Sequence, residues 1–234
     1  MHNTALDDLK IDHLPRTLRE IAVERLRGAI IAGRFPSGAR LVERTLCDQL
    51  GVSRSVVREA IRYLEAEGLV ENAPRSGPVV ATLDWGQAEQ IYNIRLLLET
   101  QAAADCARKA DAAAKAALRD ALQALDEAFR ASEPQRLYDA TTHFYEVIFT
   151  VAGHDVAWEI VQRLNGRISR LRALTLASTD RHVSGQARMT RICEAILDSD
   201  PERAASAVHD HLTEAAEIAR RLLGNDARPE DKSR

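Results

Sequence analysis

Arg54, Arg58 and Arg62 recur at every fourth position of GVSRSVVREAIRYLEAEGLV, residues 51–70, with Ser53 and Ser55 flanking the first of them. At about 100° per residue a helix brings such positions back to nearly one face, so the guanidiniums form a row. A guanidinium can bond O6 and N7 of guanine together, or pair with phosphate, and serine hydroxyls can reach either. On an isolated helix an arginine row is more often a plain solvated face. Here the charge around it argues otherwise. Residues 16–62 carry ten Arg against five Asp plus Glu, a local net of +5, in a chain whose net charge is -3. A basic N-terminal region on an acidic remainder is the pattern of a chain that meets a polyanion.

A second constellation could hold a metal. Asp139 and His143 are four apart and share a helical face, and His211 lies in HDHL, residues 209–212. One carboxylate and two imidazoles from different helices suit Zn²⁺ or another divalent ion with open positions. Spacing alone carries this weakly, because histidines on half-buried helices are more often core or capping residues. The same group could in principle activate a water, but the chain has no G-x-S-x-G, Walker A or HExxH pattern, so an enzyme is not expected. The cysteines, Cys47, Cys106 and Cys193, are far apart and form no CxxC. They read as reduced thiols of a cytoplasmic protein rather than a disulfide or zinc framework.

The elements that must position these residues are helical. Charged residues make up 29% and hydrophobic ones 45%, but aromatics only 4%, so the core rests on Ala, Leu, Ile and Val; Ala and Leu are the strongest helix formers. Residues 1–15 read as a loose arm. TLRE at 17–20 has capping-box spacing, and Leu18, Ala22, Leu26, Ala29 and Ile30 follow at helical intervals up to Gly33. A short helix is expected at 43–50. Gly51 ends it, Ser53 caps the next at about 54–67, and Gly68 stops that one. On that helix Val57, Ala60, Ile61 and Leu64 form a docking stripe beside the arginine row. LVENAPRSGPVVATL then predicts a hairpin with Arg75, Ser76 and Gly77 at its tip. Beyond Leu83 the pattern predicts six or so helices: from Asp84 to about 110, then 112–131, 134–153, 155–177, 184–198, and 201 to Gly224, with a charged tail at 225–234. No stretch approaches the ~18 apolar residues of a membrane helix, and no signal-peptide core opens the chain.

AIIAGRFPSGARLVERTLCDQLGVSRSVVREAIRYLEAEGLVENAPRSGPVV, residues 29–80, resembles the winged helix-turn-helix of the GntR family of bacterial transcription regulators. The likeness runs over about 17–82, and its core is the E-R-x-L…L-G-V-S-R-x-x-V-R-E-A…E-G-L-V pattern. The helical remainder, about 87–224, is similar to the FCD ligand-binding domain of the FadR-like subfamily. The resemblance implies a mainly α protein, with a winged helix-turn-helix over 15–82 and an antiparallel all-helical effector domain over 87–224. It implies DNA contacts from Arg44, Ser53, Arg54, Ser55, Arg58 and Gly77. Val56 replaces the family's usual Pro and Cys47 its usual Ala, and neither change removes a contact group.

For the effector domain the resemblance implies either a divalent metal such as Zn²⁺ on Asp139, His143 and His211, with water or effector completing the shell, or a metal-free pocket as in the fatty-acyl-responsive members. A further histidine is expected on the penultimate helix, where Met189 stands; a thioether is a poor ligand for such ions. His182 lies seven residues earlier and cannot substitute. Arg95 and Arg172 are the candidates to pair with an acidic effector. The expected function is a homodimeric, ligand-responsive regulator, more often a repressor, that binds a palindromic operator and answers to a small organic acid. A metal sensor and, more remotely, a metal-assisted enzyme are the alternatives.

Overall fold

The computed structural model describes residues 16–179 and 183–226. The expected N-terminal arm, His182 and positions 227–234 of the expected tail lie outside the described residues.

Three helices and a hairpin come first: α1 (Leu18–Ile31), α2 (Glu43–Leu50), α3 (Arg54–Ala66), β1 (Val70–Ala73) and β2 (Gly77–Val80). The capping box forms: Thr17 Oγ accepts from the Glu20 N–H while the Glu20 carboxylate accepts from the Thr17 N–H. Ser53 caps α3, its hydroxyl accepting from the Val56 N–H. Val57, Ala60, Ile61 and Leu64 are buried against Ala22, Leu26 and Leu46, so the apolar stripe of α3 faces the three-helix core. Burial of this kind makes truncation of a residue such as Leu64 to Ala cost about 2–5 kcal/mol. The two strands pair antiparallel from Val70↔Val80 to Ala73↔Gly77. An isolated bridge between Arg40 and Val79 pins the loop before α2 to this hairpin. Leu18, expected in the α1 stripe, is instead 62% exposed.

Asp84 caps the first helix of the bundle by accepting from the Gln87 N–H. The bundle comprises α4 (Trp85–Lys109), α5 (Ala112–Ala131), α6 (Pro134–Ala152), α7 (Asp155–Arg167), α8 (Ser169–Ala177), α9 (Gly185–Leu197) and α10 (Pro201–Asp226). Its main core joins Ala-rich faces of α4 and α5 to Phe144, Tyr145, Ile148 and Phe149 of α6 and to Ile192 and Ile196 of α9. The single helix expected over 155–177 is two, broken at Ile168 (φ -107, ψ 15). The last helix runs past Gly224 to Asp226. Among the described residues no helix is long and apolar enough to cross a membrane.

Just before the break at Ile168, α7 meets the winged unit. Gly166 packs on the backbone carbonyl of Glu67, the residue that ends α3, so closely that a Cβ there would clash with it. Any side chain at 166 would separate the two units. Close by, the Arg167 side chain lies against Gly68. Tyr138 of α6 and Ala173 of α8 pack into the core of the winged unit. The bundle is therefore seated directly on the helix that carries the arginine row.

Candidate functional site

The arginine row occupies the outer face of α3. Arg54, Ser55, Arg58 and Arg62 are all exposed, opposite the buried stripe. Arg54 and Ser55 sit in the first turn, where free backbone N–H groups and the helix dipole favour an anion. Ser53 is exposed at the cap. Arg44, in the first turn of α2, is exposed as well. Arg58 is not idle: its Nε donates to both carboxylate oxygens of Glu43 at 2.9 and 3.0 Å. That bond is the leading reason that the Glu43 carboxylate titrates lower than usual, and that the Arg58 guanidinium holds its proton more tightly. No local pattern in the sequence signals this pair, since fifteen residues separate the partners.

At the hairpin tip Arg75 has φ 69 and Gly77 φ 74. The left-handed conformation at 77 favours glycine, and a Cβ there would meet nothing within 4 Å, so the surface beside it is open. Arg75 is exposed at this tip, and a non-glycine residue with positive φ is unusual enough to mark the turn as a shaped one.

The proposed metal ligands are not brought together. The buried face of α6 is Leu137, Thr141, Phe144, Tyr145, Ile148, Phe149 and Ala152. Asp139 and His143 do share a face, but it is the outer one, where both residues are exposed. Asp139 accepts two bonds from Gln135 Nε2, at 2.8 and 2.9 Å, and borders a cleft with Arg27 and Tyr63. Desolvation there raises its pKa, with the Gln135 amide acting in the opposite direction. His143 Nδ1 lies 3.3 Å from Glu146. His211 is buried on α10, inside the bundle. Met189 is fully buried in apolar company. No group of three His, Cys, Asp or Glu side chains suited to a metal occurs among the described residues. The donor set expected for a divalent ion thus does not fit this geometry.

What the bundle holds instead is charge of the opposite kind. A cavity of about 20 Å³ is lined by Arg95, Tyr138, Thr141, Arg172, Thr175 and His211. That is room for about one water. Arg95 and Arg172 are only 2% and 6% exposed, and Glu99 is 0%. Arg95 forks onto Glu99, with Nε to Oε1 at 2.6 Å and Nη2 to Oε2 at 3.3 Å. Burial opposes its charge, but the Glu99 carboxylate outweighs this and leaves its pKa raised.

Arg172 has no such partner. Its guanidinium rests 5.4 Å from the ring centre of Tyr138, Nη1 donates a long 3.5 Å bond to Thr142 Oγ1, and Nη2 is buried without a hydrogen bond. Burial first, and then the Arg95 charge, lower its pKa. Two guanidiniums are buried here with one carboxylate, which Arg95 takes, an arrangement costly to keep without a further anion. Of the two arginines expected to meet an acidic effector, Arg95 is already neutralised and Arg172 is the one with capacity to spare. Glu99 and Tyr138 were not singled out in the sequence. The i, i+4 spacing of Arg95 and Glu99 was legible there; Tyr138's place was not.

Comparison with known proteins agrees with both halves. The model of bacterial regulatory proteins, gntR family, matches residues 18–80, and the FCD domain model matches residues 90–214. The uncharacterized HTH-type transcriptional regulator YdhC of Bacillus subtilis (strain 168) is 26% identical over 219 residues, covering 93% of this chain and 97% of that protein. The HTH-type transcriptional repressor RspR of Escherichia coli (strain K12) is 24% identical over 201 residues, 84% of this chain and 86% of its own. The solved structure of E. coli McbR/YncC superposes with a TM-score of 0.70 at 20% identity, covering 89% of this chain and 99% of that one, a likeness of fold.

Proposed function

The chain belongs to the gntR family of bacterial regulatory proteins and carries an FCD domain; it is a DNA-binding transcription regulator rather than an enzyme, and we propose that it is a homodimeric repressor released from a palindromic operator by a small organic acid. The DNA-reading part is residues 15–82 and the effector-binding part residues 87–224. Arg54, Ser55 and Arg58 would face base edges in the major groove, with Ser53 and Arg44 on phosphates and the hairpin at Gly77 along the backbone or minor groove. RspR, a relative over most of the chain, is named as a repressor. Ile94 and Leu97 on α4 and Val156 and Ile160 on α7 are apolar side chains left 40–74% exposed. They offer surface for a second copy, as a two-fold symmetric operator requires.

The observation that carries the effector reading is Arg172: a buried guanidinium with an unbonded Nη2 in a cavity also lined by Arg95, whose charge is already met by Glu99. A carboxylate there supplies the missing counter-charge and two acceptors, so an organic acid is recognised by guanidinium directly. The separation of Asp139 and His143 from His211 gives the metal-mediated and metal-sensing alternatives no support. Because the cavity has room for about one water, a larger acid must displace α6 or α8 side chains as it enters. Tyr138 beneath Arg172, and Ala173 beside it in sequence, are part of the winged core. A shift there changes how the bundle sits on α3, and DNA affinity follows the acid's preference for one arrangement.

Thermal-shift titration with a panel of small mono- and dicarboxylates tests this. At least one is expected to raise the melting temperature saturably in the wild type and not in Arg172→Met. A panel without any Arg172-dependent shift would overturn the effector assignment.

A further inference from the structure

A second cavity, of about 100 Å³, lies where the two units meet. Ile30 and Phe35 line it from the winged unit, Leu69 and Val80 from the hairpin, and Leu171 and Leu223 from the bundle. Voids larger than a water are few in well-packed proteins, and ligand pockets favour junctions between domains. An apolar cavity of ~150 Å³ admits benzene, so this one suits a hydrocarbon group of roughly four to six carbons.

Its polar side chains are Ser37, Arg167, Ser169 and Arg170. Ser169, at the first turn of α8, lines the cavity and is 3% exposed. Arg167 and Arg170 also line this cavity and are exposed. The Arg167 side chain lies over Gly68, and the Arg170 guanidinium would stand 3.2–3.4 Å from a Cβ on Gly33, so both are held against the winged unit. Among the described residues neither has a carboxylate partner. An apolar floor bordered by a hydroxyl and by two cations without carboxylate partners complements an amphiphilic anion.

We propose that this junction binds a small amphiphilic carboxylate, with its hydrocarbon part in the apolar cavity and its head between the Ser169 hydroxyl and the guanidiniums of Arg167 and Arg170. The site is separate from the one around Arg172 and does not depend on it. Its occupant touches α1, the hairpin and α8 together, so it fastens the winged unit to the bundle in the arrangement described.

The test uses full-length protein and hexanoate carrying a terminal diazirine, with the Arg172→Met variant alongside to silence the interior pocket. Photolabelling is expected on peptides spanning residues 30–37 or 69–83, which do not line the interior pocket, and to fall at least fivefold with excess hexanoate. It should persist in Arg172→Met and vanish in Ser169→Leu, whose side chain fills the cavity. The surface double variant Arg167→Ala/Arg170→Ala, chosen because it leaves the core intact, should weaken hexanoate binding at least tenfold and leave hexanol unaffected. Labelling confined to interior peptides around Thr141, labelling lost in Arg172→Met, labelling that does not saturate, or hexanol binding as tightly as hexanoate would each overturn the proposal.

Discussion

The backbone carbonyl of Glu67, which closes the arginine-bearing helix, rests directly on Gly166 of the bundle. Glu67 is also held from the other side, its carboxylate accepting from Nε and Nη2 of Arg27 at 3.0 and 2.8 Å. One residue thus joins the end of α3 to both α1 and α7. Gly166→Ala should push the units apart, a steric change of the kind that costs about 1–3 kcal/mol in a packed interface. Calorimetry is expected to show a lower-melting or split transition, and DNA affinity should lose its dependence on effector. A variant that melts like the wild type would show that this seat contributes little.

Arg172 should be dispensable for folding. Replacing a buried, incompletely bonded charge by an apolar side chain of similar length is often neutral or stabilising. Arg172→Met is therefore expected to melt at or above the wild-type temperature without ligand. Arg95→Met, which strands the buried Glu99 carboxylate, should lower it sharply. Urea midpoints of the two variants check the contrast, and a large loss in Arg172→Met would mean that the guanidinium is satisfied internally.

Glu43 holds the guanidinium of Arg58, a proposed DNA contact. With Glu43→Gln the bidentate acceptor of Arg58 is weakened, and the guanidinium becomes free to meet phosphate. Non-specific duplex affinity, measured by anisotropy at several salt concentrations, should rise. The log–log salt slope should steepen by about 0.9 for each additional phosphate neutralised. An unchanged slope and affinity would mean that Glu43 does not hold Arg58 back from the duplex.

The thiols give a pH signature. Burial pushes Cys106 up to about 12 and Cys193 up to about 11, against about 8.5 in an unfolded chain. Each raised pKa contributes stability that is complete below the unfolded value and is lost as pH rises through the folded one. Urea midpoints should therefore fall from about pH 8.5 upward, and less so in Cys106→Ala. At pH 8 an aromatic disulfide reagent should modify the half-buried Cys47 and spare the two buried thiols until the protein unfolds. Equal reaction of all three in the native state would contradict the packing.

Much of this was legible because it is local. The stripe of Val57, Ala60, Ile61 and Leu64, the Thr17, Ser53 and Asp84 caps, and the hairpin follow from helical period and turn chemistry alone. The seat of Gly166 was not, because it rests on a carbonyl nearly a hundred residues away in sequence. Asp139 and His143 are a different case. Four-residue spacing says that two side chains share a face, not which face. The apolar positions 137, 144, 145, 148, 149 and 152 already marked the inner side of α6 and left 139 and 143 outside it. The cluster around Arg172 depends on α4, α6, α8 and α10 meeting, which no local pattern encodes.

The most direct measurement is selection from a randomised duplex library with the full-length protein, run in parallel with Arg54→Ala/Arg58→Ala. The wild type is expected to enrich a two-fold symmetric site, and the double variant to lose that motif, with roughly tenfold or greater weakening on the selected duplex. The same motif recovered at the same affinity from both proteins, or a selected site without two-fold symmetry, would contradict a dimer that reads its operator through the N-terminal turns of α3.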